Sequence, residues 1–444
     1  MRFTSSLAKG WLQSHPFFLL LLLTACSVAS SPPRVAPAPP CGNAPIPSEE
    51  RLAFVQVDSG LPRSGQWRDG FDLADMNGDG DLDLVHGPRR KGVASPAIFL
   101  GNGEGRFNPW RTAHYPPLPY DYGDAKAADF DGNGLMDVAL SSHLRGLTVL
   151  VQEGDGHFSP WAGGLDLRLP AGGVEPPFAS RAIAVIDWNG DGRPDLLALN
   201  EGPSQLGPRP PSHSMALFLN RGGEWQRVEA DAPHGIFGTS IAAGDVDGDG
   251  KNDAVLGTNV AGARSLVQLG NGESWTSREL QSLAERAAVT AVALHDFDGD
   301  RRDAIIAASA WPKGDGTCVG LDIIRLMNDG DEAFALVRGA SNDPIVTVVP
   351  ADFDGDGRTD LLALRMRGSM ALFRGAATGF VRDAEVPPPA AMAGCDASDA
   401  HAADLDRDGT PEVIVSYAGD LLSGAGVQCA RGGGFVVWRV NSRP

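Results

Sequence analysis

Asp75-Met-Asn77-Gly-Asp79-Gly-Asp81-Leu-Asp83 is an acidic loop that this chain repeats seven times. Its first aspartate returns as Asp129, Asp187, Asp245, Asp296, Asp352 and Asp404, at steps of 54, 58, 58, 51, 56 and 52 residues. A period of that size marks a repeat architecture. A single such stretch would read as a turn, because Asp-Gly pairs favour turns. Seven copies with oxygen-bearing side chains at alternating positions read as a ligand set.

Position one is always aspartate. Position three is Asn77, Asp131, Asn189, Asp247, Asp298, Asp354 and Asp406. Position five is Asp79, Asn133, Asp191, Asp249, Asp300, Asp356 and Asp408. Position nine is Asp83, Asp137, Asp195, Asp253, Asp360 and Glu412. Glycine at positions four and six lets the backbone curl so that alternate side chains converge. Position seven is Asp81, Leu135, Arg193, Lys251, Arg358 and Thr410, with no common side chain, so ligation there is expected through the carbonyl. All-oxygen donors suit a hard cation, and calcium takes six to eight of them. The loop is not an EF-hand, since it closes at nine rather than twelve and its flanks are short apolar runs. The fifth copy lacks one residue, which leaves Asp303 at position eight, and is expected to hold calcium weakly or not at all. The seventh carries Arg407 at position four and is expected to hold an ion.

The formal charge is −19, and seven divalent ions would bring it to −5. The acidity therefore belongs to the loops and does not signal a basic partner. No basic stripe exists, which argues against nucleic acid.

An apolar run precedes each loop, such as Ile183-Ala-Val-Ile186, and another follows, such as Leu196-Leu-Ala-Leu199. Each is strand-length, with the acidic loop as hairpin connection. A Gly-rich hairpin closing on an aromatic residue follows in six repeats, at Phe107, Phe158, Trp225, Trp275, Phe334 and Phe380. Four antiparallel strands repeated radially make a β-propeller. The expected fold is all-β, a seven-bladed propeller over 50–444. The last repeat lacks a fourth strand, and Leu52-Ala-Phe-Val-Gln-Val57 is available to supply it, with Phe54 in the role of Phe107.

These loops resemble the FG-GAP and VCBS repeats of integrin α-type propellers. The resemblance implies seven calcium-binding blades and no particular reaction.

Arg2 and Lys9 precede Phe17-Phe-Leu-Leu-Leu-Leu-Leu23 and Thr24-Ala25-Cys26, the layout of a secretory signal over 1–25. Leu23-Thr-Ala-Cys26 resembles a bacterial lipobox, which implies lipidation of Cys26; an ordinary signal peptide cut near Ala29 is the alternative. Ser27 after the cysteine resembles outer-membrane sorting, so the expected location is the bacterial envelope, with the membrane reached only through the lipid. Residues 26–49, rich in proline and serine, are expected to form a tether. Cys41, Cys318, Cys395 and Cys429 remain, an even number that favours disulfides in an exported chain. Three pairings are possible. Cys395 with Cys429 is preferred, because both fall at the last blade on one rim.

That rim, opposite the acidic loops, carries the long irregular connections where binding residues concentrate. Trp110, His114, Tyr115, Tyr120 and Tyr122 share one of them, with Arg89 in the same repeat. Aromatic faces with arginine suit a glycan or a protein ligand. No His-Glu-x-x-His, Cys-x-x-Cys or Gly-x-Ser-x-Gly motif occurs. The expected role is a non-catalytic, calcium-stabilised binding module. The alternatives are a lyase-like carbohydrate-active enzyme, using groups such as His86, His114, Tyr115 and Arg89, and a structural subunit of an envelope assembly.

Overall fold

The computed structural model describes Cys41 and residues 46–442, apart from 91–94, 144, 162, 166–179, 201–214, 229–237, 259–265, 284–287, 314–315, 420–428 and 430–431. The signal segment, Cys26 and most of the tether lie outside the described residues. Among the described residues no helix is long and apolar enough to cross a membrane.

Strand β1 (Leu52–Val57) comes first. It is followed by β2 (Phe71–Ala74), β3 (Asp83–His86), β4 (Ala97–Gly101) and β5 (Phe107–Pro109), a four-stranded antiparallel meander. A second meander is β6 (Ala125–Ala128), β7 (Asp137–Ser142), β8 (Gly146–Gly154) and β9 (His157–Trp161). A third is β10 (Ser180–Ile186), β11 (Asp195–Asn200), β12 (Met215–Asn220) and β13 (Trp225–Val228). The next two are β14 (Gly238–Gly244), β15 (Asp253–Thr258), β16 (Leu266–Asn271), β17 (Ser274–Glu279), and β18 (Ala288–His295), β19 (Ala304–Lys313), β20 (Gly316–Met327), β21 (Gly330–Ala340). A single pairing, Thr258 with Val289, joins these two into one eight-stranded sheet. The sixth meander is β22 (Ile345–Ala351), β23 (Asp360–Arg365), β24 (Met370–Ala376) and β25 (Gly379–Val386). Last come β26 (Asp396–Ala403), β27 (Glu412–Gly419) and β28 (Gly434–Ser442), with β1 antiparallel beside β28 from Leu52–Ser442 to Val57–Val437. Phe54 stands opposite Val440.

The apolar runs after each acidic loop form the second strands. Strands β3, β7, β15 and β27 are buried along their whole length, as expected of strands covered on both faces. Among the described residues the buried side chains form seven clusters, each drawn from two neighbouring meanders. One joins the first meander, through Phe71 and Phe99, to the last, through Ile414 and Phe435. The first strands β2, β6, β10, β14, β18, β22 and β26 neighbour one another in that order, and β26 neighbours β2.

Residues 46–49, placed by sequence in the tether, run along β25 instead. The Glu49 N–H donates to the Arg382 carbonyl at 2.9 Å and the Arg382 N–H donates to that of Pro47 at 2.9 Å. The buried Asp383 carboxylate receives the N–H groups of Arg51 and Leu52. Cys41 is bonded to Cys318 and Cys395 to Cys429. The second of these is the pairing that the shared rim favours.

The fifth meander departs from its siblings. Its second hairpin closes with Met327 opposite Gly330, and Asp331 opposite Leu326 takes the place of the aromatic residue. Phe334, read from sequence as the closing residue, is 53% exposed.

Candidate functional site

Register explains why six of the acidic loops have nine positions. The residue before position one pairs with position nine: Ala74 with Asp83, Ala128 with Asp137, Ile186 with Asp195, Gly244 with Asp253, Ala351 with Asp360 and Ala403 with Glu412. Position nine therefore opens the second strand, and its carboxyl is buried between sheets. One of its oxygens accepts the position-two N–H and the other an N–H of the third or fourth-strand hairpin. In the sixth loop these are Phe353 at 2.9 Å and Gly375 at 2.7 Å.

Position one organises the turn. Asp75 Oδ1 accepts the Gly78 N–H and Oδ2 the Gly80 N–H, both at 2.8 Å. Gly78 and Gly80 have φ of 76° and 87°, where a Cβ would be strained. Asp187, Asp245, Asp352 and Asp404 repeat one or both bonds.

Position two is a feature that the search for ligands passed over. Met76, Phe130, Trp188, Val246, Phe353 and Leu405 are all buried in the clusters between sheets. An apolar residue in every copy of an otherwise polar loop is the signal that could have found it. Burying one is worth about 1.5–3 kcal/mol, so the loop is pinned to the core from inside.

The donor set fits a hard cation. Ligand atoms of Asp129, Asp131 and Asp137 lie within 4.8 Å of one another, as do those of Asp245, Asp247 and Asp253, and of Asp404, Asp406 and Glu412. Asp296, Asp298 and Asp300 form such a group, and so do Asp352, Asp354 and Asp356. Asp406 Oδ1 is buried with no hydrogen-bond partner among the described residues. Burial, helped by repulsion from the loop aspartates, pushes Asp83, Asp195 and Asp253 up to about 6 and Asp360 to about 7. These are carboxyls short of positive charge, which a divalent ion would supply.

The fifth loop breaks the register. Ala304, not Asp303, stands opposite His295. The missing residue leaves Asp303 on the loop side of the strand, with its carboxylate over Gly244 of the preceding sheet and its N–H donating to the Asp245 carbonyl at 2.7 Å.

Basic side chains already touch several loops. At position seven, Arg193 reaches Asp191 (3.4 Å), Lys251 Asp249 (2.5 Å) and Arg358 Asp356 (2.6 Å), all two residues apart and well exposed. Arg407 crosses from the seventh loop to the Gly80 carbonyl and the Asp81 carboxylate of the first.

The structure divides the aromatic residues expected to share a rim. Trp110 packs beside Gly156, and the His114 N–H donates to the Gly156 carbonyl in the β8–β9 turn. Tyr115 stacks on Phe158 at 5.2 Å, and the Tyr120 hydroxyl donates to the Pro116 carbonyl at 2.9 Å. Burial pushes both tyrosine hydroxyls up. Tyr122 lies at the opposite end of the same sheet, stacked 4.6 Å from His143 near the β7–β8 turn. The short β5 ends early, so residues 110–122 travel the length of the sheet and cannot meet at one point.

Tyr122 instead belongs to a basic and aromatic patch. The Arg68 and Arg90 guanidinium carbons lie 5.0 and 5.7 Å from its ring centre, and that of Arg89 lies 5.1 Å from Trp67. His86, a sequence candidate for a base, is fully buried beside Trp67, and burial lowers it to about 4.

Arg68 also lines a cavity of about 530 Å³ among the first strands. Asp124, Lys126, Thr347, Asp399 and His401 face it. Lys126 sits 3.3 Å from Asp124, and Asp399 accepts from Thr347 at 3.1 Å. Burial works against the Lys126 charge, but Asp124, Asp72 and Asp399 outweigh it and hold the amine protonated. Asp72 and Asp124 each accept an N–H of the next sheet, from Ala127 and Ile183. These polar groups bridge sheets around the cavity.

Three stretches, residues 129–198, 187–256 and 352–415, match the FG-GAP-like repeat. Solved structures with the same fold include BBS1N in complex with ARL6DN soaked with lead, at 12% identity and a TM-score of 0.50, covering 88% of this chain and 98% of that one. The mercury-soaked form of that complex gives 11% identity and a TM-score of 0.52, covering 87% and 97%. No curated protein matches the chain. The chain thus contains FG-GAP-like repeats and is structurally similar to the β-propeller of BBS1N.

Proposed function

We propose that this chain is a seven-bladed β-propeller closed by β1, stabilised by calcium in its acidic loops, that binds a protein or glycan ligand without catalysing a reaction. The cyclic order of the first strands, together with the cluster joining the first and last meanders, supports the closed ring. The observation that carries the function is the separation of two chemistries. The acidic hairpins occupy one end of the sheets, and the patch of Arg68, Arg89, Arg90, Trp67 and Tyr122 gathers near connections at the other. Cations over aromatic rings, beside a cavity mouth, suit the acidic or hydroxyl-rich surface of a partner.

Calcium is structural in this reading. It would be held by positions one, three, five and nine and the carbonyl of seven, neutralising carboxylates that otherwise repel. In this reading Cys26 carries the lipid, and the proline- and serine-rich stretch after it is the tether that precedes Cys41, which is bonded to Cys318 of β20. BBS1N is named in complex with a protein, ARL6DN, which makes a protein the first ligand class to test.

The test is a binding screen of the full chain against envelope proteins and polysaccharides, in calcium and in chelator, with Arg68→Ala/Arg90→Ala alongside. Saturable binding lost in the double variant supports the reading. Binding that survives it moves the ligand site elsewhere, and turnover of a polysaccharide would establish an enzyme instead.

A further inference from the structure

On the third strand of each meander, one position stands level in register with loop position nine. It follows the residue paired with loop position ten: Phe99 with Leu84, Leu150 with Val138, Phe218 with Leu196 and Gln268 with Ala254. In the first four meanders this position is Leu100, Val151, Leu219 and Leu269. In the last three, the pairs Ile324–Ile305, Phe373–Leu361 and Trp438–Val413 place Arg325, Arg374 and Arg439 there.

All three arginines reach the loop carboxylates of their own meander. Arg325 Nη2 lies 2.6 Å from Asp298 Oδ2 and 3.3 Å from Asp300 Oδ2. Arg374 Nη1 lies 3.5 Å from Asp354 Oδ2. Arg439 Nε lies 3.1 Å from Glu412 Oε1, and its Nη2 donates to Asp406. The partners occupy loop positions three, five and nine, which are the expected calcium ligands.

We infer that Arg325, Arg374 and Arg439 are built-in counter-cations, so that the fifth, sixth and seventh loops bind calcium more weakly than the first four and depend on it less for their folded shape. The inference rests on the reading of the loops as calcium sites. Guanidinium is charged at any physiological pH and donates in a fixed fork, so it occupies carboxylate lone pairs and repels an incoming divalent ion. Arg374 cannot swing clear: it is only 7% exposed, and its Nε is held at 2.7 Å by Asp383. The position-seven cations differ in attachment: each touches the position-five carboxylate two residues away and hangs from the residue expected to ligate through its carbonyl, which leaves its side chain outside the site. Arg407 touches the first loop only at Gly80 and Asp81, from the solvent side.

The sixth loop separates this idea from a reading of ligands alone. Its carboxylates, Asp352, Asp354, Asp356 and Asp360, are as complete as those of the fourth loop. Ligand composition ranks the two equal, whereas Arg374 ranks the sixth lower.

The experiment is calcium binding to the chelator-stripped full chain by equilibrium dialysis, with melting curves in calcium and in chelator. The native chain is expected to show four tight sites and a weaker class separated by about tenfold or more. Arg325→Leu tests the most exposed of the three arginines and Arg439→Leu the pair at Glu412. Arg439→Leu should add one tight site and lower the melting temperature in chelator but not in calcium. Leu269→Arg, the converse change at a half-buried position, should remove one tight site. Seven equivalent sites in the native chain, or an unchanged count of tight sites in both Arg439→Leu and Leu269→Arg, would overturn the inference while leaving calcium binding intact. A native chain that binds no calcium would overturn the loop reading itself, and this inference with it.

Discussion

Asp360 Oδ2 accepts the backbone N–H of Phe353 at 2.9 Å across the sixth acidic loop. The same bond, position nine to position two, recurs at Asp83–Met76, Asp137–Phe130, Asp195–Trp188, Asp253–Val246 and Glu412–Leu405, between 2.8 and 3.0 Å. One buried carboxyl thus closes the loop on its own buried plug. It ties the loop carboxylates to the packing between sheets, so loss of charge balance in the loop is felt in the core.

Asp245→Ala is expected to lower the melting temperature by several degrees more in calcium than in chelator. Both states lose the bonds from the Gly248 and Gly250 N–H groups, but only the metal-bound state also loses a ligand, and a ligand that binds the folded state alone stabilises by mass action. Melting curves under both conditions check this, and equal losses in the two would remove calcium from that loop.

The position-nine carboxyls set a pH dependence. In the metal-free fold burial pushes Asp83, Asp137, Asp195 and Asp253 up to about 6 and Asp360 to about 7, above an ordinary value of 3.8, and pushes Glu412 up as well. The folded chain therefore favours their neutral form. Their contribution is complete below about pH 4 and is lost as pH rises through 6 to 7. Without metal, stability should fall between about pH 4 and pH 7. In calcium the trend should reverse, because the ion needs the carboxylates ionised. Denaturant unfolding across that range, with and without chelator, reads both slopes.

Arg301→Gly should stabilise the chain by about 1 kcal/mol. Arg301 takes position six of the fifth loop with φ of 68°, where the sixth loop has Gly357 at 81°. Chemical denaturation of the variant measures the change, and a loss of stability would show that its side chain matters more than its backbone.

Tyr120→Ala and Tyr122→Ala should act differently although they are two residues apart. Tyr120 packs in the cluster between the first two meanders, and its truncation should cost about 2–4 kcal/mol. Tyr122 is expected to cost less in stability and more in ligand affinity. Thermal melts with a binding assay on each single variant separate the two effects.

The period, the spacing of the acidic residues, the strand-length flanks and the four-stranded meanders were legible because each is local. Asp75 to Asp83 carries its own geometry, and the runs around it carry theirs. Asp303 was legible as an irregularity, but its displacement became evident only from the pairing of Ala304 with His295. Arg325, Arg374 and Arg439 were not legible as part of the loops, since they lie 20 to 33 residues from the carboxylates they touch. The tyrosines misled for the converse reason. Residues 110–122 are close in sequence, yet the chain there runs from one end of a sheet to the other. The Cys41–Cys318 bond spans 277 residues, a separation that no local pattern encodes.

The most direct test of the central claim is the melting of the full chain at pH 7.5 in excess calcium and in excess chelator. Several loops filled well above their dissociation constants should each contribute a few kcal/mol, so the account predicts a melting temperature higher by tens of degrees in calcium. Coincident curves in the two conditions would contradict it and would leave the acidic loops as turns.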